Sequence, residues 1–302
     1  MHDLIIVGAG PAGLTAALYA GRSRLNTLFL EKYSAGGRIL LSDVIENFPG
    51  FPGGIATQDL ISRMKEQVQE LGIQIELEEV LDLDCKLKSV KVNSGTSTAK
   101  AIIIAVGSKP RKLNAPGEEK LIGKGVSYCA TCDAPLYREK NVVLVGGGNA
   151  AAEEGLYLSR FAKQLTLIHR RNDLRASAIL QEKLKDNKKI NFALSSIVTQ
   201  ILGSTKVESI KIKDVFTAQE RDIPCDGVFV CIGYEPDTGF VKNKLKVNKG
   251  GFIITDEIML SSQAGIFAAG DCRKKGLYQV ITACAEGAIA ADSAYKYLLN
   301  HG

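Results

Sequence analysis

Long apolar segments are scarce in this sequence, and we expect neither a membrane-spanning helix nor a secretory leader. No apolar run in its 302 residues approaches the roughly 18 residues needed to cross a bilayer. Met1-His2-Asp3 leads directly into the short apolar run Leu4–Val7, so no basic region followed by a long apolar one indicates a secretory signal. We therefore expect no membrane partner.

Histidine, tryptophan and paired cysteines are also scarce. The chain has three histidines, no tryptophan and seven cysteines, which is an odd number. The net charge of +5 is small and dispersed, so it indicates no nucleic-acid partner. Five of the cysteines are scattered along the chain: Cys85, Cys225, Cys231, Cys272 and Cys284. This usage is typical of proteins in a reducing cytosol, so we expect a cytoplasmic protein without a disulfide scaffold.

Two segments of the chain repeat one order of elements: an apolar strand, a glycine-rich turn, a helix-like stretch and a second strand. From the first glycine to the end of the second strand is 23 positions in both, from Gly8 to Glu31 and from Gly146 to His169. Such βαβ units with a G-x-G-x-x-G/A turn are typical of dinucleotide-binding domains. The turns supply candidate cofactor-binding residues: Gly8, Gly10, Pro11, Ala12 and Gly13 in the first, and Gly146, Gly148, Asn149 and Ala150 in the second.

The small residues of these turns have distinct physical tasks. The first glycine permits a tight turn, the second lets the backbone approach a pyrophosphate, and the third small residue lets helix and strand pack closely. The pyrophosphate then lies at the helix N-terminus, where free N–H groups and the helix dipole attract an anion. Because the motif occurs twice with matched spacing, glycine turns without a ligand are the weaker interpretation.

The residues after the second strand differ in charge between the two segments. In the first segment Glu31 offers a carboxylate that can accept hydrogen bonds from ribose hydroxyls. In the second, His169, Arg170 and Arg171 are followed by Arg175, and guanidinium groups bind a 2′-phosphate by charge-assisted hydrogen bonds. The second site is therefore predicted to prefer NADP(H), the alternative being a solvated basic turn.

A second repeat indicates the domain boundaries. An apolar strand followed by Gly-x-x-Pro occurs at 101–110 and again at 227–236, and each would end one nucleotide-binding lobe. A third apolar strand, 266–269, leads into Gly270 and Asp271, and that aspartate can bind a flavin dinucleotide. We predict an α/β fold with two Rossmann-like domains, the second, 113–242, inserted into the first, 1–112 and 243–302.

A single Cys-x-x-Cys pair, Cys129 and Cys132, lies shortly before the second glycine-rich turn. In a cytosolic protein such a pair beside a βαβ pattern indicates a redox-active dithiol. Half a zinc site is the alternative, but structural zinc needs four ligands and usually a second paired motif, so no metal is expected. Asp133 follows at once and is a candidate general acid; it could also serve as a helix N-cap.

Together these motifs closely resemble the low-molecular-weight thioredoxin reductases of bacteria and archaea, over essentially the whole chain. The resemblance implies FAD in the first domain, NADPH in the second, a thioredoxin-like protein partner and a homodimer. It also implies that Cys132 faces the flavin, that Cys129 attacks the partner disulfide, and that Asp133 protonates the departing thiolate. Further cofactor-binding residues are implied at Gly37, Arg38, Asn47, Gly107, Gln279 and Val280.

Two positions depart from the pattern of that family. Arg38 stands where the family often has glutamine, and Tyr278 stands where it often has arginine. The leading hypothesis is an NADPH-dependent reductase of the thioredoxin disulfide that acts through FAD and the cysteine pair.

Several alternatives stay open from the sequence. Reductases that use a ferredoxin-type donor tend to lack the second glycine-rich turn and the arginines, which this chain has. A ferredoxin–NADP reductase would lack the dithiol, and a small-molecule dithiol oxidase would more often place histidine after the second cysteine. A non-enzymatic NADP or flavin sensor is the remaining alternative.

Overall fold

The chain forms two compact units, seen in a computed structural model that describes residues 1–41 and 44–301. The first unit comprises Met1–Lys109 and Glu235–Gly302, and the inserted unit comprises Pro110–Tyr234. The sequence set the corresponding boundaries after residues 112 and 242, somewhat later along the chain. The inserted unit ends at Tyr234, before the predicted residue 242, because the 3-10 helix Gly239–Val241 belongs to the first unit. Val241 is fully buried in the core of that unit.

The first unit contains a sheet with helices beside it. Its strands are β1 (His2–Val7), β2 (Thr27–Glu31), β5 (Ile75–Leu77), β6 (Asp82–Asp84), β7 (Ser89–Val92), β8 (Gly95–Ile104) and β19 (Ile266–Ala268), while β3 (Val44–Ile45) and β4 (Ile55–Ala56) pair with each other in a separate sheet. The parallel strands run in the order β5-β2-β1-β8-β19, and β7 and β6 continue the sheet antiparallel beyond β8. The helices are α1 (Pro11–Arg22), α2 (Thr57–Gln69) and α6 (Val280–His301).

Strand β1 has the continuous apolar sequence of a parallel strand that is covered on both faces. Leu4 and Ile6 lie in one core cluster, Ile5 and Val7 lie in another, and all four are at most 5% exposed. The first of these clusters also contains residues of α1 and α6. The expected strand Thr27–Glu31 and the expected helix after the first turn are both confirmed.

The inserted unit has the strands β10 (Val126–Ser127), β11 (Asn141–Gly146), β12 (Gln164–Ile168), β13 (Ile190–Ala193), β14 (Ser196–Leu202), β15 (Ser209–Asp214), β16 (Glu220–Pro224) and β17 (Gly227–Cys231). It repeats the plan of the first unit with a fully parallel sheet in the order β10-β17-β11-β12-β13. A separate antiparallel sheet, β14-β15-β16, was not predicted from the sequence. The helices are α3 (Ala130–Asp133), α4 (Asn149–Leu158) and α5 (Ala178–Asp186).

Two short strands carry the chain from one unit to the other and back. They are β9 (Ser108–Pro110) and β18 (Tyr234–Pro236), and they pair with each other. Within the described ranges, no helix is both long and apolar enough to cross a membrane.

Candidate functional site

The first glycine-rich turn joins β1 to α1 and leaves space above it. Gly8 has a positive φ of 101°, and a Cβ atom on Gly13 would lie only 1.8 Å from the carbonyl oxygen of Gly8, so both glycines are required by the packing of the turn. Gly10 differs, because a Cβ atom there would meet only the carbonyl oxygen of Gly36, at 3.9 Å, among the described residues. Its backbone is extended, with φ −74° and ψ −176°, which any residue adopts.

Helix α1 begins directly at this turn and has an uncompensated N-terminus. Pro11 occupies the start of the helix, its first turn has no acidic residue, and the described part of the chain gives it no side-chain cap. Free N–H groups beside an open glycine form a cradle for a pyrophosphate. The residues therefore fit a dinucleotide.

Glu31 lies beside the same turn at the end of β2. Its Oε2 atom accepts a hydrogen bond from the Ala9 N–H at 2.6 Å, and its Oε1 atom accepts one from the Tyr33 N–H at 3.0 Å. The carboxylate is thus held next to the turn, at the position where the sequence predicts a ribose contact.

Arg38 and Asp271 are 233 positions apart in the sequence and form an ion pair, with 2.7 Å between Nη2 and Oδ2. Arg38 also donates from Nη1 to the Ser108 hydroxyl at 3.3 Å. On the other side, the ammonium group of Lys275 lies 2.8 Å from Oδ1 of Asp271. Asp271, a predicted flavin ligand, therefore lies between two cations, one of which is the residue that departs from the family pattern.

The other predicted residues of the first unit gather around the same turn. Gly36 donates its N–H to the Ala9 carbonyl at 2.9 Å, which brings the neighbouring Gly37 close to Gly10. A Cβ atom on Gly270 would lie 2.8 Å from Cβ of Ala12.

Two further predicted residues of the first unit are hydrogen-bonded to each other. Asn47 donates from Nδ2 to Oε1 of Gln279 at 3.0 Å, and Gln279 directly precedes Val280, the first residue of α6. Gly107 follows the carboxyl end of β8, the edge of a parallel sheet at which nucleotides bind.

The second turn, between β11 and α4, has the same division of tasks. A Cβ atom on Gly146 would lie 2.5 Å from Cβ of Ala151 and from the carbonyl oxygen of Cys231, so the packing requires glycine there. Around Gly148, by contrast, no described atom would lie within 4 Å of an added Cβ. Asn149 and Ala150 begin α4 and are exposed, and the first turn of α4 has no acidic residue.

The loop after β12 folds onto this second turn. Arg175 donates its backbone N–H to the Gly147 carbonyl at 2.6 Å, and Ser177 donates its N–H to Oδ1 of Asn149 at 2.8 Å. The side chains of Arg170, Arg171 and Arg175 are exposed. The loop thus brings Arg175 to the turn, as a site for a 2′-phosphate requires.

His169 does not lie with the exposed arginines. It is 6% exposed, and its ring is so close to Gly147 that a Cβ on that glycine would lie 2.3 Å from Cε1. Burial, and then the positive charge of Arg175, lower the pKa of the imidazole below its usual value. His169 therefore supports the turn from behind as a neutral ring.

Cys129 and Cys132 form a disulfide, with 5.3 Å between their Cα atoms. Helix α3 carries Cys132, and its residue Ala130 belongs to the same buried cluster as Ala152 of α4. The redox pair is thus carried by a helix that packs against the helix of the second nucleotide-binding turn.

Asp133 is the last residue of α3, and its Oδ2 atom accepts a hydrogen bond from the Ser127 hydroxyl at 2.6 Å. It also stands at the N-cap position of the 3-10 helix Ala134–Tyr137, without a side-chain cap bond in the described structure. Sequence analysis missed Ser127, because a serine two residues before a cysteine carries no recognisable pattern.

The cysteines outside the pair have environments that keep their thiols protonated. Burial raises the pKa of Cys225 and of Cys272 to about 12. Burial also raises the pKa of Cys231 well above its usual value, and its thiol donates to Oε2 of Glu154 at 2.5 Å. A reactive thiolate is not favoured at these three positions.

Known proteins share this arrangement along the whole chain. The family model of the pyridine nucleotide-disulphide oxidoreductases matches residues 2–287. The chain therefore belongs to that family.

Similar proteins of known name place the chain more narrowly. The thioredoxin reductase of Treponema pallidum is 44% identical over 299 residues, which cover 98% of this chain and 97% of the relative. That of Peptoclostridium acidaminophilum is 42% identical over 306 residues, with 99% and 97% covered. The crystal structure of thioredoxin reductase from Streptococcus pyogenes gives a TM-score of 0.93 at 41% identity and covers 99% of both chains. The resemblance to thioredoxin reductases and the predicted fold class are thereby confirmed.

Proposed function

We propose that this protein uses NADPH to reduce the disulfide of a thioredoxin, through FAD and the Cys129–Cys132 pair. The observation that carries the proposal is the position of the disulfide, on a helix packed against α4, which begins at the second nucleotide-binding turn. The identity of about 42% to thioredoxin reductases along the full chain supports it.

The residues of the first unit would hold FAD, and those of the inserted unit would hold NADPH. The open glycines Gly10 and Gly148 and the free N-termini of α1 and α4 support pyrophosphate binding at both turns. The exposed guanidinium groups of Arg170, Arg171 and Arg175 would bind the 2′-phosphate. When bound, FAD supplies the two-electron chemistry that links NADPH to the disulfide.

The cysteine pair and Asp133 would carry out the exchange with thioredoxin. One thiol, which we assign to Cys129, loses its proton and attacks a sulfur atom of the partner disulfide, whose S–S bond breaks. Asp133 takes the proton that leaves Cys129 and passes it to the departing partner thiolate. The Cys132 thiol then attacks Cys129 in the mixed disulfide, its proton passes to the second partner sulfur as that thiolate leaves, and the Cys129–Cys132 disulfide forms again.

The setting of the activity belongs to the same proposal. The cysteines outside the pair remain free thiols in the described structure, which supports a reducing, cytoplasmic environment. We infer a homodimer as well. Light scattering on the purified chain would measure a mass near twice 32.5 kDa if that is correct and near 32.5 kDa if it is not.

A steady-state assay tests the function directly. NADPH, thioredoxin and an aromatic disulfide reporter are combined with the protein, and the release of the coloured thiol is followed. We expect turnover that requires thioredoxin and NADPH together. If the protein oxidises NADPH without reducing thioredoxin, or reduces thioredoxin only with another electron donor, the proposal is wrong.

A further inference from the structure

We propose that Ser127 is a positioning residue for Asp133: its hydroxyl holds the carboxylate in the orientation that proton transfer to the departing thiolate requires. The inference rests on the proposed function, because it concerns the step in which the dithiol is passed to thioredoxin. Ser127 ends strand β10, two residues before Cys129, and is 5% exposed.

The contacts of Ser127 fix the direction of its hydroxyl proton. The backbone N–H of Cys129 donates to Ser127 Oγ at 3.1 Å, so one lone pair of that oxygen is in use. The single hydroxyl proton then has two acceptors within reach, Oδ2 of Asp133 at 2.6 Å and the Cys129 carbonyl at 3.4 Å. The carboxylate is the stronger acceptor and much the nearer one, so the proton points to Asp133.

Hydrogen bonds from both the side chain and the backbone of the neighbouring Tyr128 hold the position of Ser127. The Tyr128 hydroxyl donates to Oε1 of the buried Glu118 at 2.9 Å, and the Tyr128 carbonyl accepts from the Tyr234 hydroxyl at 3.0 Å. Ser127 is therefore a fixed donor. A carboxylate that is bonded to a fixed donor loses most of its rotational freedom, which is what placement of a general acid demands.

Asp133 and the redox pair are joined through the same turn. The backbone N–H of Asp133 donates to the Cys129 carbonyl at 3.2 Å, and Cys129 is the residue that donates to Ser127. The serine thus ties the carboxylate to the backbone of the cysteine that we assign as the attacking thiol. Ser127 gives up no proton during the exchange; it only holds the group that does.

The test uses substitutions that differ in the hydroxyl group alone. Ser127→Thr keeps the hydroxyl. Ser127→Val introduces a side chain of nearly the same shape as threonine but without the hydroxyl, and both residues suit a strand. Ser127→Ala is the smaller replacement. Each is made in the wild type and together with Asp133→Asn. The measurements are stopped-flow reduction of bound FAD by NADPH, and kcat and KM for thioredoxin in steady state.

We expect Ser127→Ala and Ser127→Val to lower kcat on the order of tenfold, part of the roughly hundredfold or more that a well-placed general acid contributes. KM for thioredoxin and the rate of FAD reduction should stay within about twofold, and Ser127→Thr should restore most of kcat. In the Asp133→Asn background the same substitutions should have little further effect, because residues that act through one group are not additive.

Three results would overturn the inference. They are equal kcat for the threonine and valine variants, an undiminished effect of the serine substitutions in the Asp133→Asn background, and an equal loss in the rate of FAD reduction. Failure of the proposed function is a separate result, since the wild-type protein itself would then not reduce thioredoxin.

Discussion

The imidazole ring of His169 lies directly against Gly147, so that a Cβ atom on the glycine would be 2.3 Å from both Cε1 and Nδ1 of the ring. Gly147 is the middle residue of the glycine-rich turn, between the two glycines of the nucleotide-binding motif. Its lack of a side chain is therefore required by the histidine, whereas the neighbouring Gly148 borders open space.

The first prediction follows from this contact. Gly147→Ala should lower the free energy of unfolding by about 1–3 kcal/mol through overpacking, and His169→Ala in the same chain should relieve part of that loss. Gly148→Ala serves as the control and should leave stability unchanged while weakening NADPH binding. Urea unfolding of the wild type, of Gly147→Ala, of His169→Ala and of the double variant measures the coupling, with Gly148→Ala as a fifth protein; strictly additive effects of the 147 and 169 substitutions would contradict the contact.

The second prediction concerns pH. Burial, and then Arg175, hold the pKa of His169 below its usual 6.5. The unfolded chain binds a proton near that pH while the folded chain keeps the ring neutral, so the free energy of unfolding should fall as the pH drops below 6.5, until the folded pKa is passed. Urea unfolding between about pH 7 and 5 should show a smaller fall in His169→Gln. Equal falls in His169→Gln and the wild type would refute the assignment.

The third prediction separates ligand binding from folding at the first turn. Gly10→Val should leave the fold intact, because the backbone is extended and the nearest described atom to the new Cβ is 3.9 Å away. The branched side chain should crowd the pyrophosphate, so the purified protein should be colourless. Far-UV circular dichroism and flavin absorbance provide the two measurements. Gly13→Ala should instead damage the fold itself, and full retention of FAD by Gly10→Val would remove the site assignment.

The fourth prediction concerns the choice of cofactor. Replacement of Arg170, Arg171 or Arg175 by alanine should each weaken NADPH binding by about 1.5–3 kcal/mol, or roughly ten- to a hundredfold. The triple variant should lose its preference over NADH and keep its FAD. Arg221→Ala, on the exposed strand β16, is a matched control and should change neither. Equal use of both nicotinamides by the wild type would show that the arginines do not select the cofactor.

The fifth prediction concerns the redox pair. Cys129→Ser and Cys132→Ser should each abolish thioredoxin reduction, because a serine hydroxyl forms no disulfide. Reduction of bound FAD by NADPH should persist, since it needs only the two nucleotide sites. Stopped-flow absorbance and steady-state turnover distinguish these half-reactions, with the half-buried Cys85→Ser as a control that should behave as wild type. Normal turnover in both serine variants would leave a flavoprotein with a different acceptor.

Features carried by local pattern were predictable from the sequence. The strand Thr27–Glu31 was predicted with the same bounds that the structure shows. The order of glycine-rich turn, helix and apolar strand can be recognised within a short stretch of sequence. The same holds for the cysteine pair, whose spacing and place beside a βαβ pattern predicted a redox-active dithiol.

Features that depend on folding were not predictable. The ion pair of Arg38 with Asp271 joins residues 233 positions apart, and nothing in either local sequence selects the partner. His169 looked like a member of the basic cluster, yet its ring is buried against Gly147 while the arginines are exposed, and no local pattern distinguishes the two environments. The antiparallel sheet β14-β15-β16 was missed although β15 alternates the buried Ile210 and Ile212 with lysines, which is itself the pattern of a strand.

The pairing of β9 with β18 brings the two ends of the inserted unit side by side. Just inside it, Arg111 donates its backbone N–H to the Gly233 carbonyl at 2.9 Å, so the two ends of a segment of more than a hundred residues are neighbours. A domain whose ends are adjacent can be inserted into another domain at little cost in chain entropy, because the surrounding chain has only a short distance to span. Replacement of residues 110–234 at the β9–β18 pair would therefore remove the second nucleotide-binding turn and the cysteine pair together. The strands of the main sheet in the first unit would keep their neighbours.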